Sequence, residues 1–205
     1  MNEHKEWLNF YGRPLTLKRY LWRIVNHLEF LYTIIRQKPK SAIEIGIGTA
    51  AHSLFVSHFV PSVIGVDDNL QIVKFAKESS KKLGNSVKFI VASAFNLPFK
   101  ANSFDLCFSQ GFFEHFHNKE VNDIAREQTR IARLIIFSVP SHKYGATPFG
   151  DERLLKRSEW SKLLNRRAFV IRSKYSYIDS RLVGFFMNKN YTLYPLETLI
   201  FITQR

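Results

Sequence analysis

The residues with the clearest chemical potential stand in one run, Glu44-Ile45-Gly46-Ile47-Gly48-Thr49-Ala50. An apolar stretch precedes it and a helix-like stretch follows, so both glycines fall at a strand-to-helix turn. Glycines there let the backbone turn tightly and approach a ligand with no Cβ in the way. The following helix aims its first amides at whatever sits in the turn. Asp67 lies 21 residues after Gly46, at the end of the next apolar run. In an α/β nucleotide fold, a carboxylate at that place accepts hydrogen bonds from ribose hydroxyls. The same residues also suit a tight turn and helix start in a domain that binds no nucleotide. The pairing of turn and carboxylate favours an adenosine-containing cofactor over that reading. Glu44 narrows the choice. It would repel a pyrophosphate, whereas S-adenosylmethionine brings an ammonium and a sulfonium. Gly46-x-Gly48-x-x-Ala51 also permits a nicotinamide cofactor, but about forty residues precede this strand, and such folds usually begin with it.

Further along, His115 is the leading candidate for a general base. It follows the fourth apolar strand, where α/β folds place ligands, and imidazole titrates near neutrality. Glu114 beside it has the same standing, and for both the competing reading is packing behind the loop. His115-Phe116-His117 has two metal-binding side chains, but that spacing alone does not make a site, and no metal is expected. Tyr11, His142 and Tyr144 are placed to close over an acceptor, against the plainer reading of surface aromatics. Phe104, Phe108, Phe112, Phe113 and Phe116 mix strand core with a loop that lines a pocket. Cys107 is the one cysteine, so no intrachain disulfide framework exists, and its strand position predicts a buried, inert thiol.

The elements that must position these residues follow from periodicity. Leu17, Tyr20, Leu21, Ile24, Leu28, Leu31 and Ile35 recur at helical spacing and predict one amphipathic helix ending before Pro39. Short apolar strands are predicted over 42–45, 63–66, 87–91, 104–109 and 134–139, alternating with helices over 50–59, 70–83 and 120–130. Gly84 marks the stop of the second of these helices. That alternation predicts a parallel sheet covered on both faces. A helix over 158–166 and strands over 168–178 and 198–204 finish the chain. The expected fold class is α/β: one doubly wound domain over 1–205, with a helical N-terminal cap (1–40), a cofactor-binding core (41–140), and a substrate-side loop with antiparallel C-terminal strands (141–205).

Four segments in order then resemble class I S-adenosylmethionine-dependent methyltransferases, in the branch often called type 11. They are Ile43 to Thr49; Gly65-Val66-Asp67-Asp68-Asn69; Ala92 to Phe99 with Asn102-Ser103-Phe104-Asp105-Leu106; and Phe112-Phe113-Glu114-His115. The resemblance covers about residues 41–140. It implies a Rossmann-like, mostly parallel seven-stranded sheet and S-adenosylmethionine as cofactor. Glu44, Gly46, Gly48 and Thr49 would surround its methionine end, and Asp67 its ribose. Asp68 and Asn69 would lie beside the adenine, Ser93 and Ala94 at its edge, and Ser109 and Gln110 under the sulfonium. Ala50 stands at a glycine position of the family, and Ser93 replaces the usual adenine-binding acid. Ser109-Gln110-Gly111-Phe112 stands where enzymes that methylate amino groups of DNA or glutamine carry N/D-P-P-Y, which disfavours that chemistry.

Charge bears on the acceptor. The chain of 205 residues has a formal net charge of +13. Residues 41–140 hold 10 basic and 9 acidic side chains, while the flanks hold 20 and 8. A small-molecule acceptor, favoured if anionic, is the first expectation. RNA held by the basic flanks is the second, and a non-catalytic cofactor-binding protein the third. The first twenty residues carry Glu3, Lys5, Glu6, Arg13, Lys18 and Arg19 with no apolar run, so a cytoplasmic location is the default expectation. Charged residues interrupt the stretch 15–35, so no membrane span is expected. Oligomeric state is not legible.

Overall fold

The computed structural model describes residues 14–144, 151–164, 169–176 and 197–204. Helices α1 (Leu17–Asn26) and α2 (Leu28–Ile35) lead into β1 (Ser41–Ile45), α3 (Ala51–Val56), β2 (Ser62–Asp67), α4 (Leu70–Lys82) and β3 (Lys88–Val91). Then come β4 (Phe104–Gln110), a short 3-10 turn (Phe113–His115), α5 (Asn118–Ile131), β5 (Ala132–Pro140), α6 (Arg157–Leu163), β6 (Phe169–Ser176) and β7 (Glu197–Gln204). The strands form one sheet in the order β3-β2-β1-β4-β5-β7-β6. The pairs from β3 across to β5 are parallel, and β7 runs antiparallel to both β5 and β6. The fold is therefore mixed α/β with a mostly parallel sheet. No helix among the described residues is long and apolar enough to cross a membrane.

Buried strands alternate their side chains between two cores. Leu106, Phe108 and Ile136 pack with Phe30, Ile34 and Leu54 on one face. Cys107, Ile135 and Phe137 pack with Val121, Ile124 and Trp160 on the other. The crossover order places the C-terminal ends of β1, β2, β3 and β4 along one edge, where an open α/β sheet binds ligands. Polar clamps fix the loops at both edges. The Asp105 carboxylate accepts from the amides of Lys40 (2.9 Å) and Ser41 (3.1 Å) at the start of β1, and these bonds hold its pKa below the usual range. Arg130 donates to the carbonyls of Phe99 (2.7 Å) and Leu97 (3.1 Å), so α5 pins the loop after β3.

The predicted first helix is two. The chain breaks at His27 (φ −117, ψ 21), whose amide returns to the Ile24 carbonyl and whose ring bonds the Arg23 carbonyl. The break rotates the apolar face. Ile24, Phe30, Leu31 and Ile34 are buried, whereas the predicted face residues Leu17, Leu21 and Leu28 are exposed. Periodicity cannot register a break whose cause is a buried histidine contact to another element. The predicted helix over 50–59 is also shorter, Ala51–Val56, and gives way to a turn before Pro61.

Phe137 is fully buried in β5 and stacks on Phe201 of β7 with centroids 4.8 Å apart and planes 3° from parallel. Phe137→Ala is expected to lower the unfolding free energy by about 3–5 kcal/mol in urea titrations. A loss under about 1 kcal/mol would show that this face is not packed as described.

Candidate functional site

The turn between β1 and α3 folds back with Gly46 at φ +72, Gly48 at φ +48 and Ala50 at φ +61. All three lie in the left-handed region that favours glycine. Ala50 therefore carries a Cβ in a conformation that glycine adopts freely and an L residue adopts at a cost. At Gly46 a Cβ would lie 2.4 Å from the Phe112 ring.

Glu44, at the end of β1, is 1% exposed. One carboxylate oxygen, Oε2, accepts from the Ser53 amide (2.9 Å) and from the Ser53 hydroxyl. The other, Oε1, lies 3.2 Å from His52 Nδ1. His52 Nε2 lies 3.0 Å from His27 Nδ1, which is 2.9 Å from the Arg23 carbonyl. A carbonyl only accepts, so His27 Nδ1 carries the hydrogen. His52 Nε2 shares that hydrogen as an acceptor, and His52 Nδ1–H then donates to Glu44. Burial drives His52 down to about 3, with the Arg23 charge adding to it, and lowers His27 well below the usual imidazole range. Both rings are neutral at physiological pH. Burial pushes Glu44 up to about 8 against the bonds from Ser53, which pull it down.

A cavity of about 240 Å³ opens beside this turn. Gly46, Gly48 and Thr49 line it from the turn, and Asp67, Asp68 and Asn69 from the end of β2. Ser93, Ala94 and Phe95 line it after β3, and Gln110, Phe112, His115 and Phe116 after β4. Asp67 Oδ1 accepts from the Asn69 amide at 3.0 Å. Burial raises Asp67 to about 6, while amide bonds from Asn69, Gly48 and Ile47 pull the other way. Asn69 also caps α4, accepting from Gln71 and Ile72. The donor set is thus a carboxylate able to accept from hydroxyls, glycine-turn amides, and a cation, Arg23, which lines the cavity from α1.

The cavity brings together Glu44, Gly46, Gly48, Thr49, Asp67, Asp68, Asn69, Ser93, Ala94, Gln110 and His115. It does not include the others. Ser109 points to the opposite face of β4 from Gln110, by strand alternation, and its buried hydroxyl has no partner. Glu114 is buried behind the turn, with Oε2 unpaired and its pKa raised to about 8 by burial. His142 is exposed and Tyr144 half-buried after β5, neither of them at the cavity. Tyr11 lies outside the described residues. His117 is exposed, and its amide donates to Glu120 at the start of α5 (2.8 Å). Cys107 is fully buried, and burial raises its thiol far above the usual range. Among the described residues no group of three His, Cys, Asp or Glu side chains is arranged to hold a metal.

Sequence reading does not mark Arg23, His52 or Asp151. All three line the cavity, and Asp151 Oδ1 lies 2.9 Å from His115 Nδ1. Arg23 leaves one trace, a charge inside an otherwise apolar helical stretch. His52 and Asp151 leave none, because their partners are 8 and 36 residues away.

Residues 43–134 match the family described as Methyltransferase domain. A curated methyltransferase of uncharacterised role from Bacillus subtilis, YcgJ, is 30% identical over 97 residues, 46% of this chain and 38% of that protein. Norajmaline N-methyltransferase from Rauvolfia serpentina is 31% identical over 105 residues, 50% of this chain and 35% of that enzyme. The chain therefore spans little more than a third of the length of these two curated relatives. Among solved structures, YcgJ superposes with a TM-score of 0.65 at 17% identity, covering 87% of this chain and 99% of that one. Magnesium protoporphyrin IX methyltransferase from Synechocystis, solved with bound S-adenosylmethionine, gives 0.66 at 14% identity and covers 99% and 91%. At such identities the likeness shows a shared fold.

Gly46→Ala is expected to destabilise the fold by about 1–3 kcal/mol, through positive φ and the clash with Phe112. In a Phe112→Ala background the cost should fall to about 1 kcal/mol, the part due to φ alone. Equal costs in both backgrounds, measured by urea unfolding, would remove the ring contact from the explanation.

Proposed function

We propose that this chain, whose residues 43–134 match a methyltransferase-domain family, is a class I S-adenosylmethionine-dependent methyltransferase that transfers a methyl group from that cofactor to a small-molecule acceptor. The observation that carries the proposal is the convergence of the glycine turn, Asp67 and the loop after β4 on one cavity. The names of two similar proteins, acting on norajmaline and on magnesium protoporphyrin IX, favour a small acceptor.

The residues present fit the cofactor chemically. Asp67 accepts from the ribose hydroxyls. Asp68 and Asn69 lie beside the adenine, with Ser93 and Ala94 at its edge. Serine is shorter than an acid and uncharged, which weakens that contact by about 1 kcal/mol. Gly46, Gly48 and Thr49 surround the methionine end, and Gln110 lies near the sulfonium. Glu44, with both oxygens engaged by Ser53 and His52, holds the turn in shape, and Arg23 meets the cofactor's carboxylate. Ser109 and Glu114 receive no part in binding or chemistry. When bound, S-adenosylmethionine supplies a methyl carbon on a sulfonium, whose sulfur departs as a neutral thioether. The protein's task is then to position the nucleophile in line. Residues 1–205 act as one unit in the cytoplasm, with the N-terminal helices as a cap and the basic flanks drawing in an anionic acceptor.

Saturating S-adenosylhomocysteine, at about 100 times its dissociation constant, is expected to stabilise the protein by roughly 2.7 kcal/mol, read as a rise in Tm. NADH should give none. A rise with NADH alone would overturn the cofactor.

Asp67 must be ionised to accept from the ribose. Its pKa, raised to about 6 in the unliganded protein, is then lowered by binding. Affinity should therefore fall on acidification, by about tenfold between pH 7 and pH 5. Calorimetric titration at the two pH values checks this. In Asp67→Asn the step should vanish along with most of the affinity, and an unchanged step would assign the titration to another group.

A further inference from the structure

Resting on the methyltransferase reading, we infer that Asp151 and His115 form a proton-accepting pair, and that the acceptor is a planar aromatic compound methylated on a hydroxyl oxygen. His115 is the base, and Asp151 is the positioning residue that sets its tautomer. A carboxylate only accepts, so at 2.9 Å the hydrogen lies on His115 Nδ1, and Nε2 becomes the basic nitrogen. Both residues line the cavity that holds Gly46 and Asp67.

Asp151 is placed there by the chain around it. Two residues on, the Arg153 amide donates to the Glu114 carbonyl at 3.0 Å. Its guanidinium donates to the Phe116 carbonyl and the Asn118 side chain, each at 2.5 Å. These three bonds strap the segment after β5 onto the very turn that carries His115. A contact between residues 36 apart is thereby fixed at both ends. Asp151 remains half-exposed toward the opening, so it can balance the charge that His115 gains on accepting a proton.

The ring wall beside this pair suits a flat guest. Phe112 and Phe116 lie 4.8 Å apart and Phe116 and Phe95 5.9 Å, and all three line the cavity. The pair also selects the nucleophile. A neutral amine attacks through its lone pair, and a thiol ionises nearly unaided. A phenolic hydroxyl, with a pKa near that of tyrosine at about 10, needs its proton taken. In the step, the hydroxyl proton passes to His115 Nε2 and an oxygen electron pair forms the new C–O bond to the methyl carbon. The C–S bond breaks with its pair left on sulfur, and the proton later leaves His115 for solvent.

The test uses the full chain with S-adenosylmethionine, a series of substituted phenols of graded acidity ending in 4-nitrophenol, and matched anilines. Phenols are expected to be methylated on oxygen and anilines not. Asp151→Asn should slow the least acidic phenols by about 10²-fold or more, with the loss shrinking as the phenol grows more acidic. Nitrogen-15 NMR of the wild-type protein, recorded above the titration range of imidazole, should show the His115 proton on Nδ1. The inference is overturned by a proton on Nε2, by preference for anilines, by no phenol turning over, or by a loss uniform across the series, which marks a merely structural contact. The Tm rise with S-adenosylhomocysteine, read on the same samples, separates the two levels. If it is present, failure of the phenol series sinks only the pair and the acceptor class; if it is absent, the methyltransferase reading falls as well.

Discussion

The Glu44 carboxyl is withdrawn from water at the end of β1, and its oxygens must find partners inside the protein. An unpaired polar group there would cost several kcal/mol, more if ionised. Ser53 supplies an amide and a hydroxyl from the second residue beyond the start of α3, and His52 supplies a ring nitrogen beside it. For α3 to begin so close to the strand end, the chain must reverse within a few residues, and it does so through three left-handed positions. His52 in turn needs a partner on its far side, which His27 provides by interrupting the N-terminal helix. One buried carboxyl thus shapes the glycine turn and the break between α1 and α2, and it brings Arg23, one turn before His27, to the cavity rim.

The remaining walls depend on that turn. Gly46 lets the Phe112 ring close against it, and the Gly48 and Ile47 amides bear on Asp67. Asp67 is consequently a carboxylate held in a partly dry place, poised to titrate near pH 6 and to gain from any ligand that donates hydroxyl protons to it. On the far side, Arg153 binds the chain after β5 to the turn after β4, so the cavity is closed by two segments distant in sequence. The near-neutral core and the basic flanks divide accordingly. Residues 41–140 hold 10 basic and 9 acidic side chains, while the surplus of cations lies in the flanks.

Much of the cofactor side was legible in the sequence because its signals are local. A strand, a glycine turn and the next strand's terminal carboxylate lie within about 25 residues, and parallel pairing then brings them to one edge. The side formed by His115 and Asp151 was less legible. Asp151 meets His115 through a fold-back held in part by the Glu114 and Phe116 backbone carbonyls, which carry no residue-type signal. The break at His27 was hidden for a similar reason, since its cause lies in α3. Motif residues also proved to divide between site and scaffold. Asp105, within the S-F-D-L segment, spends its carboxylate on the Lys40 and Ser41 amides far from the cavity. Ser109 shares a strand end with Gln110 but faces the opposite core, and only the pleat separates the two.

The central claim is that the glycine turn and Asp67 together cradle an adenosyl cofactor with its amino-acid end toward Arg23. A crystal structure of the full chain grown with S-adenosylhomocysteine tests it most directly. The expected result is both ribose hydroxyls within hydrogen-bond distance of the Asp67 carboxylate, the sulfur facing Gln110 and the α-carboxylate on the Arg23 guanidinium. Density for the ligand elsewhere, or in this cavity with the ribose turned away from Asp67, would contradict the account.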